Sequence, residues 1–151
     1  MKAHEYFEIC REKVRAFSRT EQRYAELCGF SVPPIRYDGA HGGSSDPMAR
    51  IDAALDFSQI VNERRAELNE ILEYATSVLY GIDGHGGLAK LKGFIYADAI
   101  CMHYLQDMPW KDIAEQSEIY SSKQVRNYAM SGMSCIDRYG FAYMRGVHDG
   151  D

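Results

Sequence analysis

The chain has 151 residues, with 17 lysines and arginines against 22 aspartates and glutamates and a formal net charge of −5. A composition of 46% apolar and 26% charged residues is ordinary for a folded protein and excludes disorder throughout. The acidic balance excludes a protein that coats nucleic acid over its whole surface, so a nucleic-acid binder of this composition must use a local basic face. The length allows one domain, or two small ones joined by a linker.

The four cysteines are widely spaced and form no Cys-x-x-Cys pair, so we expect reduced thiols rather than a disulfide framework or a zinc site. No apolar run approaches the ~20 residues of a membrane-spanning helix. The N-terminal residues lack the pattern of a signal peptide. These patterns predict a cytoplasmic protein that has no membrane partner.

The first 29 residues predict one helix, because apolar side chains recur at steps near three and a half residues. Gly29 supplies a stop, since glycine accepts the left-handed conformation that ends many helices. The apolar stripe is too narrow for a helix that stands alone, so we expect this helix to pack against another. The stripe consists of Tyr6, Cys10, Val14, Phe17, Tyr24 and Cys28, widened by Ile9 and Leu27.

Two glycine-rich segments interrupt the helical pattern. Residues 30–45 contain a pair of prolines together with several glycines and serines, and this composition predicts a linker. Residues 81–87 predict a loop. Each segment offers a single histidine and lacks the close ligand spacing of known metal sites, so we expect no metal and no cofactor. No Gly-Lys-Ser/Thr follows either segment, which argues against a phosphate-binding loop.

Residues 46–80 predict the longest helix, about 50 Å at 1.5 Å per residue. Asp46 is the expected cap and Pro47 the expected first residue. Ser58 and Arg65 interrupt an apolar seam that otherwise follows a heptad pattern, and such polar residues select register or partner. The seam comprises Ile51, Ala54, Ser58, Val61, Arg65, Leu68, Leu72, Ala75 and Leu79, broadened by Leu55, Ile60, Ile71 and Val78.

These two helices predict a coiled-coil-like hairpin over residues 1–80, in which the first helix returns antiparallel along the second. The same seam also suits pairing with a second copy of the chain. We expect a hairpin that forms a homo-oligomer, with a dimer favoured, although the sequence does not choose between the two uses of the seam.

Residues 88–105 predict a third long helix, with Leu88, Leu91, Ile95, Ala99 and Met102 facing inward. Gly93 costs such a helix about 1 kcal/mol relative to alanine, so it is expected to mark close approach to a neighbour. His103 has no charged partner in the sequence and is expected to be incidental. Trp110 could pack over a helix corner or contact a DNA phosphate through its indole N–H, and packing is favoured.

Residues 109–140 predict two helices joined by a tight corner. Pro109 suits the first helical position, and Asp107 lies where it can meet the free N–H groups of that turn. Residues 117–120 form the corner, where Ile119 is the apolar residue expected to tuck into the core. Ser121 or Ser122 then caps the second helix.

The second of these helices has two distinct faces. Residues 121–136 contain no acidic residue, although the chain as a whole is acidic. Arginine and lysine bind guanine edges or phosphates, glutamine and asparagine read adenine, and serine donates to backbone oxygens. The bland alternative is the solvated polar face of an ordinary helical corner. The inward face is Val125, Ala129, Gly132, Met133 and Ile136, and the polar face is Lys123, Gln124, Arg126, Asn127 and Ser131.

Several short runs resemble region four of bacterial sigma factors: Tyr104-Leu105, Pro109-Trp110-Lys111-Asp112-Ile113-Ala114, Tyr120-Ser121-Ser122 and Val125-Arg126. The chain is more closely similar to small phage and prophage proteins with a sigma-region-four-like C-terminus, several of them late-transcription regulators. The similarity covers about fifty residues at the C-terminal end. One departure lies at residues 130–133, where those recognition helices usually carry an Ala-Leu pair and this chain has two methionines around Gly132.

The resemblance implies an all-α protein in which a helical hairpin (1–80) and a glycine-rich loop (81–87) precede a helix-turn-helix domain (88–151). It implies a transcriptional regulator in a bacterial host cell that binds promoter DNA, with RNA polymerase as a possible partner. The residues expected to contact double-stranded DNA are Lys111, Ser121, Ser122, Lys123, Gln124, Arg126, Asn127 and Ser131.

Other classes of function stay open at this stage. A small terminase subunit of a phage also joins a helix-turn-helix to helical oligomerisation segments, and a pure interaction module would use the polar face to bind protein. We expect no enzyme, because the sequence contains no His-Glu-x-x-His, nucleophile elbow, glycine-rich nucleotide fingerprint or carboxylate pair at useful spacing.

Overall fold

The structure is a computed structural model that describes residues 1–28, 47–119 and 121–146. The predicted linker, the expected cap Asp46, Tyr120 of the predicted corner and the last five residues lie outside this description. The described parts are predominantly helical and contain no strand, as predicted for an all-α chain. Within them, every helix is too short or too polar to cross a bilayer.

Seven α-helices and one π-helical turn follow one another in the described residues. The π-helical turn, Cys101–Leu105, directly continues the fourth helix. The helices are α1 (Ala3–Cys28), α2 (Pro47–Tyr80), α3 (Leu88–Leu91), α4 (Phe94–Ile100), α5 (Trp110–Gln116), α6 (Ser122–Tyr139) and α7 (Phe141–Met144).

The chain forms two compact units, whose boundaries fall inside the two long helices. Unit 1 comprises Met1–Arg15 and Asn69–Asp151, and unit 2 comprises Ala16–Leu68. The domain boundaries expected from the sequence, at residues 80 and 88, stay a prediction.

The core of unit 1 collects apolar side chains from every helix in the unit. Phe7, which was not among the predicted inward residues of the first helix, is fully buried and lies 6.1 Å from Tyr104 between ring centroids. Tyr6 contacts the rings of Tyr74 at 5.8 Å and Phe141 at 5.2 Å. The start of α1, the end of α2 and α7 therefore converge on one aromatic cluster.

Unit 2 pairs the end of α1 with the first two-thirds of α2. Tyr24 stacks on Phe57 at 5.9 Å between centroids, and Arg65 donates to Glu21 at 3.0 Å while its guanidinium lies 5.6 Å from the ring of Phe17. Residue numbers rise along one segment as they fall along the other, so the two segments of this unit run antiparallel.

Two apolar residues expected to broaden the α2 seam face outward instead. Leu55 is 64% exposed and Ile60 is 42% exposed, whereas Val61 is buried. Arg65, predicted within the seam, is exposed and forms an ion pair with Glu21. Leu27 and Ile9 of α1, expected to widen its stripe, are also exposed. The pattern was ambiguous here because the apolar residues of α2 surround much of its circumference.

The predicted helix over residues 88–105 is broken at Lys92 and Gly93, and the prediction of one continuous helix was wrong. Gly93 has φ +141° and ψ 151° and stands before the first residue of α4. Leu91 and Ile95, predicted to face inward, are exposed as a result. Gly93 is needed for its conformation and not for close packing, since a Cβ there would meet only the Tyr96 ring, at 3.4 Å.

The close approach occurs at Gly132 of α6. A Cβ at this position would lie 2.9 Å from Cδ2 of Leu88 and 3.0 Å from Cδ1 of Ile100. Leu88 and Ile100 would stand about 18 Å apart on a continuous helix. The break at Gly93 therefore lets α3 and α4 both pack against the same point of α6.

His103 is buried in the π-helical turn, and the expectation that it is incidental was wrong. Its ring stacks on Trp110 with 3.5 Å between centroids, and its Nδ1 lies 2.7 Å from the carbonyl oxygen of Met108. Because a carbonyl only accepts, Nδ1 carries the proton in this contact. Trp110 therefore packs against the core, as favoured from the sequence, but on His103 and not over the corner between α5 and α6.

Asp107 does not cap α5, which corrects a second expectation. Its Oδ1 accepts hydrogen bonds from Nε of Arg11 and Nε of Arg15, each at 2.9 Å, and its backbone is left-handed at φ +54°. Burial alone would raise the pKa of Asp107, but the two arginines outweigh it and hold the pKa below its ordinary value. Pro109 is the N-cap residue, and α5 begins at Trp110.

Candidate nucleic-acid interface

The corner between α5 and α6 is closed by backbone hydrogen bonds and one left-handed residue. The N–H of Ser117 donates to the oxygen of Ile113, and the N–H of Ile119 donates to the oxygen of Ala114, both at 2.9 Å. Glu118 between them has φ +57°. Ile119 packs against the core of unit 1 as predicted. The chain therefore leaves α5 abruptly, with its apolar residue turned inward.

Ser121 is the cap of α6. It has the extended conformation of an N-cap residue, at φ −150° and ψ 157°, and its Oγ accepts from the N–H of Gln124 at 3.1 Å. The sequence left Ser121 and Ser122 as alternatives. Ser122 is the first helical residue and its side chain is exposed. The first turn of α6 is thus fixed by one of the residues predicted to contact DNA.

The buried face of α6 is the face predicted from its apolar spacing. All five inward residues are buried, and α6 packs against α4 and α5. Because this face is fixed in the core of unit 1, the opposite face is held outward along the full length of the helix. The five are Val125, Ala129, Gly132, Met133 and Ile136.

Three of the predicted DNA contacts form a row along the outward face of α6. Lys123, Asn127 and Ser131 follow one another at steps of four residues and are all exposed. At 3.6 residues per turn such steps drift by only roughly 40° each, so the three side chains share one side of the helix. We call this set the outer row.

Gln124 and Arg126 flank the outer row on opposite sides. The side-chain amide of Gln124 donates to the hydroxyl of Tyr128 at 3.2 Å. Arg126 is exposed but lies toward Tyr104. Burial raises the pKa of the Tyr104 phenol, and the charge of Arg126 is one of two positive charges that oppose this rise. These two residues stand at the edges of the face and not at its centre.

Lys111 is exposed in the first turn of α5 and is separate from the outer row. Its neighbours Asp112 and Glu115 are exposed as well, as is Glu118 in the corner. The outward side of α5 is therefore acidic apart from Lys111. Seven of the eight predicted contacts lie on or at the start of α6, and the eighth lies on the adjoining helix.

The acid-free surface of α6 continues beyond residue 136, which the sequence alone did not indicate. Asp137 is turned away to α1, where its Oδ1 accepts from the N–H of Ala3 at 2.7 Å. Ser134 and Arg138 are exposed, at positions that continue the outer row. Ser134 and Arg138 follow Ser131 at helical steps of three and then four residues, and this spacing indicates a shared face. Asp137 lies between them in the sequence, so the acid-free run in the sequence ends at residue 136.

The described residues contain no group of three histidine, cysteine, aspartate or glutamate side chains arranged to hold a metal ion. Cys10, Cys101 and Cys135 are free thiols. No protein-family model, curated protein or solved structure matches this chain. The geometry of α5, the corner and α6 is therefore the basis for assigning a function.

Proposed function

We propose that this chain is a phage-type transcriptional regulator that binds promoter DNA through α5 and α6 as a helix-turn-helix, with α6 as the recognition helix. The observation that carries the proposal is the serine-capped α6, whose exposed outer row contains no acidic residue in a chain of net charge −5. A local surface of this kind is what an acidic protein needs to approach a polyanion.

The outer row has the chemistry of groove recognition. In helix-turn-helix proteins the N-terminal residues of the second helix contact base edges in the major groove. Lys123 suits guanine or phosphate, Asn127 suits the two-point pairing with adenine, and Ser131 suits a backbone oxygen. Ser122, Gln124 and Arg126 would contact the edges of the same groove, and Lys111 would contact a phosphate beside it.

The N-terminal helices would hold a dimer or contact RNA polymerase. A two-fold dimer would present two copies of α6 to two half-sites about one helical turn apart. The proposed role is binding, without catalysis and without a cofactor.

The test measures fluorescence anisotropy with duplexes from the promoter regions of the chain's own genomic neighbours. Lys123→Ala and Asn127→Ala should each weaken specific binding by about 10-fold or more, as expected for a loss of 1–3 kcal/mol per specific contact. Lys13→Ala and Asn69→Ala are matched controls, since both residues are exposed and lie in α1 and α2 rather than in α5 or α6. Equal affinities for all four variants would contradict the assignment of the interface.

Two further measurements separate the competing functions. A solution mass of a closed ring of about eight subunits would favour the small-terminase alternative over a regulator. Affinity for DNA that falls steeply with added salt supports phosphate contacts, because bound cations are released from the duplex. If the chain binds no DNA and binds a protein partner with an affinity that does not depend on salt, the interaction-module alternative is favoured.

A further inference from the structure

A polar cleft of about 360 Å³ lies at the far end of α6, beyond the outer row. It is formed where the C-terminal end of α3 meets α6, and its position depends on the break at Gly93. Its lining includes two cations, two serine hydroxyls and a thiol, contributed by Lys92, Arg138, Ser131, Ser134 and Cys135, together with Leu91 and Tyr139. Ser131 belongs to both the outer row and the cleft, so the two surfaces are continuous.

Within the described parts of the chain, no carboxylate neutralises the positive charge of this cleft. No aspartate or glutamate lines the cleft, and among the described side chains neither Lys92 nor Arg138 takes part in an ion pair. Lys92 lies 4.8 Å from the centroid of Tyr96 and Arg138 lies 5.7 Å from that of Tyr139. An aromatic face steadies a cation but leaves its full charge and most N–H donors open to an anion.

The length of α6 determines what such a cleft meets when the start of the helix is in a groove. Lys123 and Arg138 are separated by about 22 Å of helix at 1.5 Å per residue. The major groove of B-DNA is about 12 Å wide. A helix that crosses the groove with its first turns inside is therefore long enough for its far end to reach the sugar-phosphate backbone.

We propose that this cleft binds a backbone phosphate of the DNA duplex that α6 reads, an inference that rests on the proposed function. The guanidinium of Arg138 and the ammonium of Lys92 would hold the phosphate oxygens, with Ser131 and Ser134 donating from their hydroxyls. Because phosphates carry no sequence information, the cleft contributes affinity and register and not base discrimination.

The first test compares the wild-type chain with Lys92→Ala/Arg138→Ala on a promoter duplex and on a duplex of scrambled sequence. Loss of one phosphate contact by two cations should lower the slope of log affinity against log salt concentration by about 1 to 2. Both duplexes should lose affinity by the same factor, so the ratio between them should be unchanged. Lys13→Ala/Arg19→Ala removes the same two residue types from exposed positions of α1 and should leave the slope unchanged.

The outcomes separate this inference from the proposed function. If the wild-type chain binds DNA and the cleft variant keeps the wild-type slope, the cleft assignment is overturned while the regulator proposal stands. If the wild-type chain binds no duplex, both are overturned. Saturable binding of inorganic phosphate in the absence of DNA would reassign the cleft to a free phosphate compound, which also overturns the DNA assignment.

Cys135 supplies a second test that needs no substitution. Its partly exposed thiol lines the cleft, while Cys101 lies elsewhere, against Tyr80 and Asp98. Bound duplex should slow the alkylation of Cys135, measured by peptide mass spectrometry, and leave the slower alkylation of Cys101 unchanged. An unprotected Cys135 in a saturated complex would overturn the inference even if the cleft variant failed to fold.

Discussion

The imidazole of His103 stands between the π-helical turn and α5. Burial lowers the pKa of His103 and the charge of Arg11 lowers it further, while the Met108 carbonyl opposes part of the effect. A neutral ring with its proton on Nδ1 satisfies both observed contacts, the hydrogen bond to Met108 and the stack on Trp110. Protonation would place a charge where little water can reach it.

We therefore predict that stability decreases as the pH falls below about 6.5, the ordinary pKa of histidine in an unfolded chain. Between that value and the lower folded pKa, the unfolded chain binds a proton that the folded chain does not, so the free energy of unfolding rises with pH. Chemical denaturation at pH 7.5 and pH 5.5 measures the difference. His103→Gln should cost about 1–3 kcal/mol at pH 7.5 and flatten the dependence; an unaltered pH dependence would contradict this origin.

Ser121 accepts a hydrogen bond from a single N–H group, yet it fixes where α6 begins. We predict that Ser121→Ala lowers the free energy of unfolding by about 1 kcal/mol, because the N–H of Gln124 loses its acceptor. Ser122→Ala, at the next and exposed position, is the control and should change stability by less than about 0.5 kcal/mol. Thermal or urea unfolding of both variants checks the difference, and equal effects would place the cap elsewhere.

The segment Leu88–Leu105 shows how a local backbone conformation organises neighbouring helices. A straight helix could not bring Leu88 and Ile100 to Gly132, and a broken one does. The break also leaves Leu91 exposed and places Lys92 in the lining of the cleft. The geometry of the far end of α6 therefore depends on Gly93, although α4 and α5 lie between this glycine and α6 in the sequence.

Gly93→Ala distinguishes the broken segment from a continuous helix by the sign of its effect. In a continuous helix the change would stabilise the chain by about 1 kcal/mol. At φ +141° a Cβ is strained, so we predict instead a loss of about 1–3 kcal/mol in the free energy of unfolding. Ser134→Ala, an exposed position within the unbroken α6, should be neutral or slightly stabilising. Urea denaturation measures both, and a stabilised Gly93→Ala would contradict the break.

The helices differ in how far their sequences predict them, for a physical reason. In α6 the apolar and polar residues occupy opposite sides, so both the buried face and the predicted contacts follow from the spacing. Around residues 88–105 apolar residues occupy almost every side, so spacing could not select a face or reveal a break. A positive φ at Gly93 is a property of the backbone, and a pattern of side chains does not encode it.

The role of His103 and the cleft at Arg138 could not be predicted from the sequence, for a related reason. Both depend on residues that meet only after folding, Trp110 and Met108 in one case and Lys92 in the other. The outer row could be predicted because it lies within a single helix. The all-α class and the outward face of α6 were therefore accessible from the sequence, and the contacts between segments were not.

The distribution of charge over the molecule determines whether DNA binding depends on the acidic residues near α6 or on the net charge of the whole chain. The chain is acidic overall, and α5 and the corner place Glu115 and Glu118 beside the start of α6. At about 0.1 M salt, charges more than roughly 10 Å apart are largely screened. The acids close to α6 should therefore oppose DNA binding, while acids elsewhere on the surface should have little influence.

We predict that Glu115→Gln/Glu118→Gln tightens DNA binding by about twofold, since in the proposed complex each removed charge would lie roughly 10 Å from the duplex, where water and salt already weaken its effect. Glu70→Gln/Glu73→Gln removes the same two charges from exposed positions on α2 and should change the affinity by much less. Anisotropy titrations at about 0.1 M and 0.3 M salt measure both, with the gain shrinking at the higher concentration. Equal tightening by the two pairs would mean that net charge governs binding and that the face of α6 has no special role, because only a duplex held against that face can distinguish near acids from remote ones.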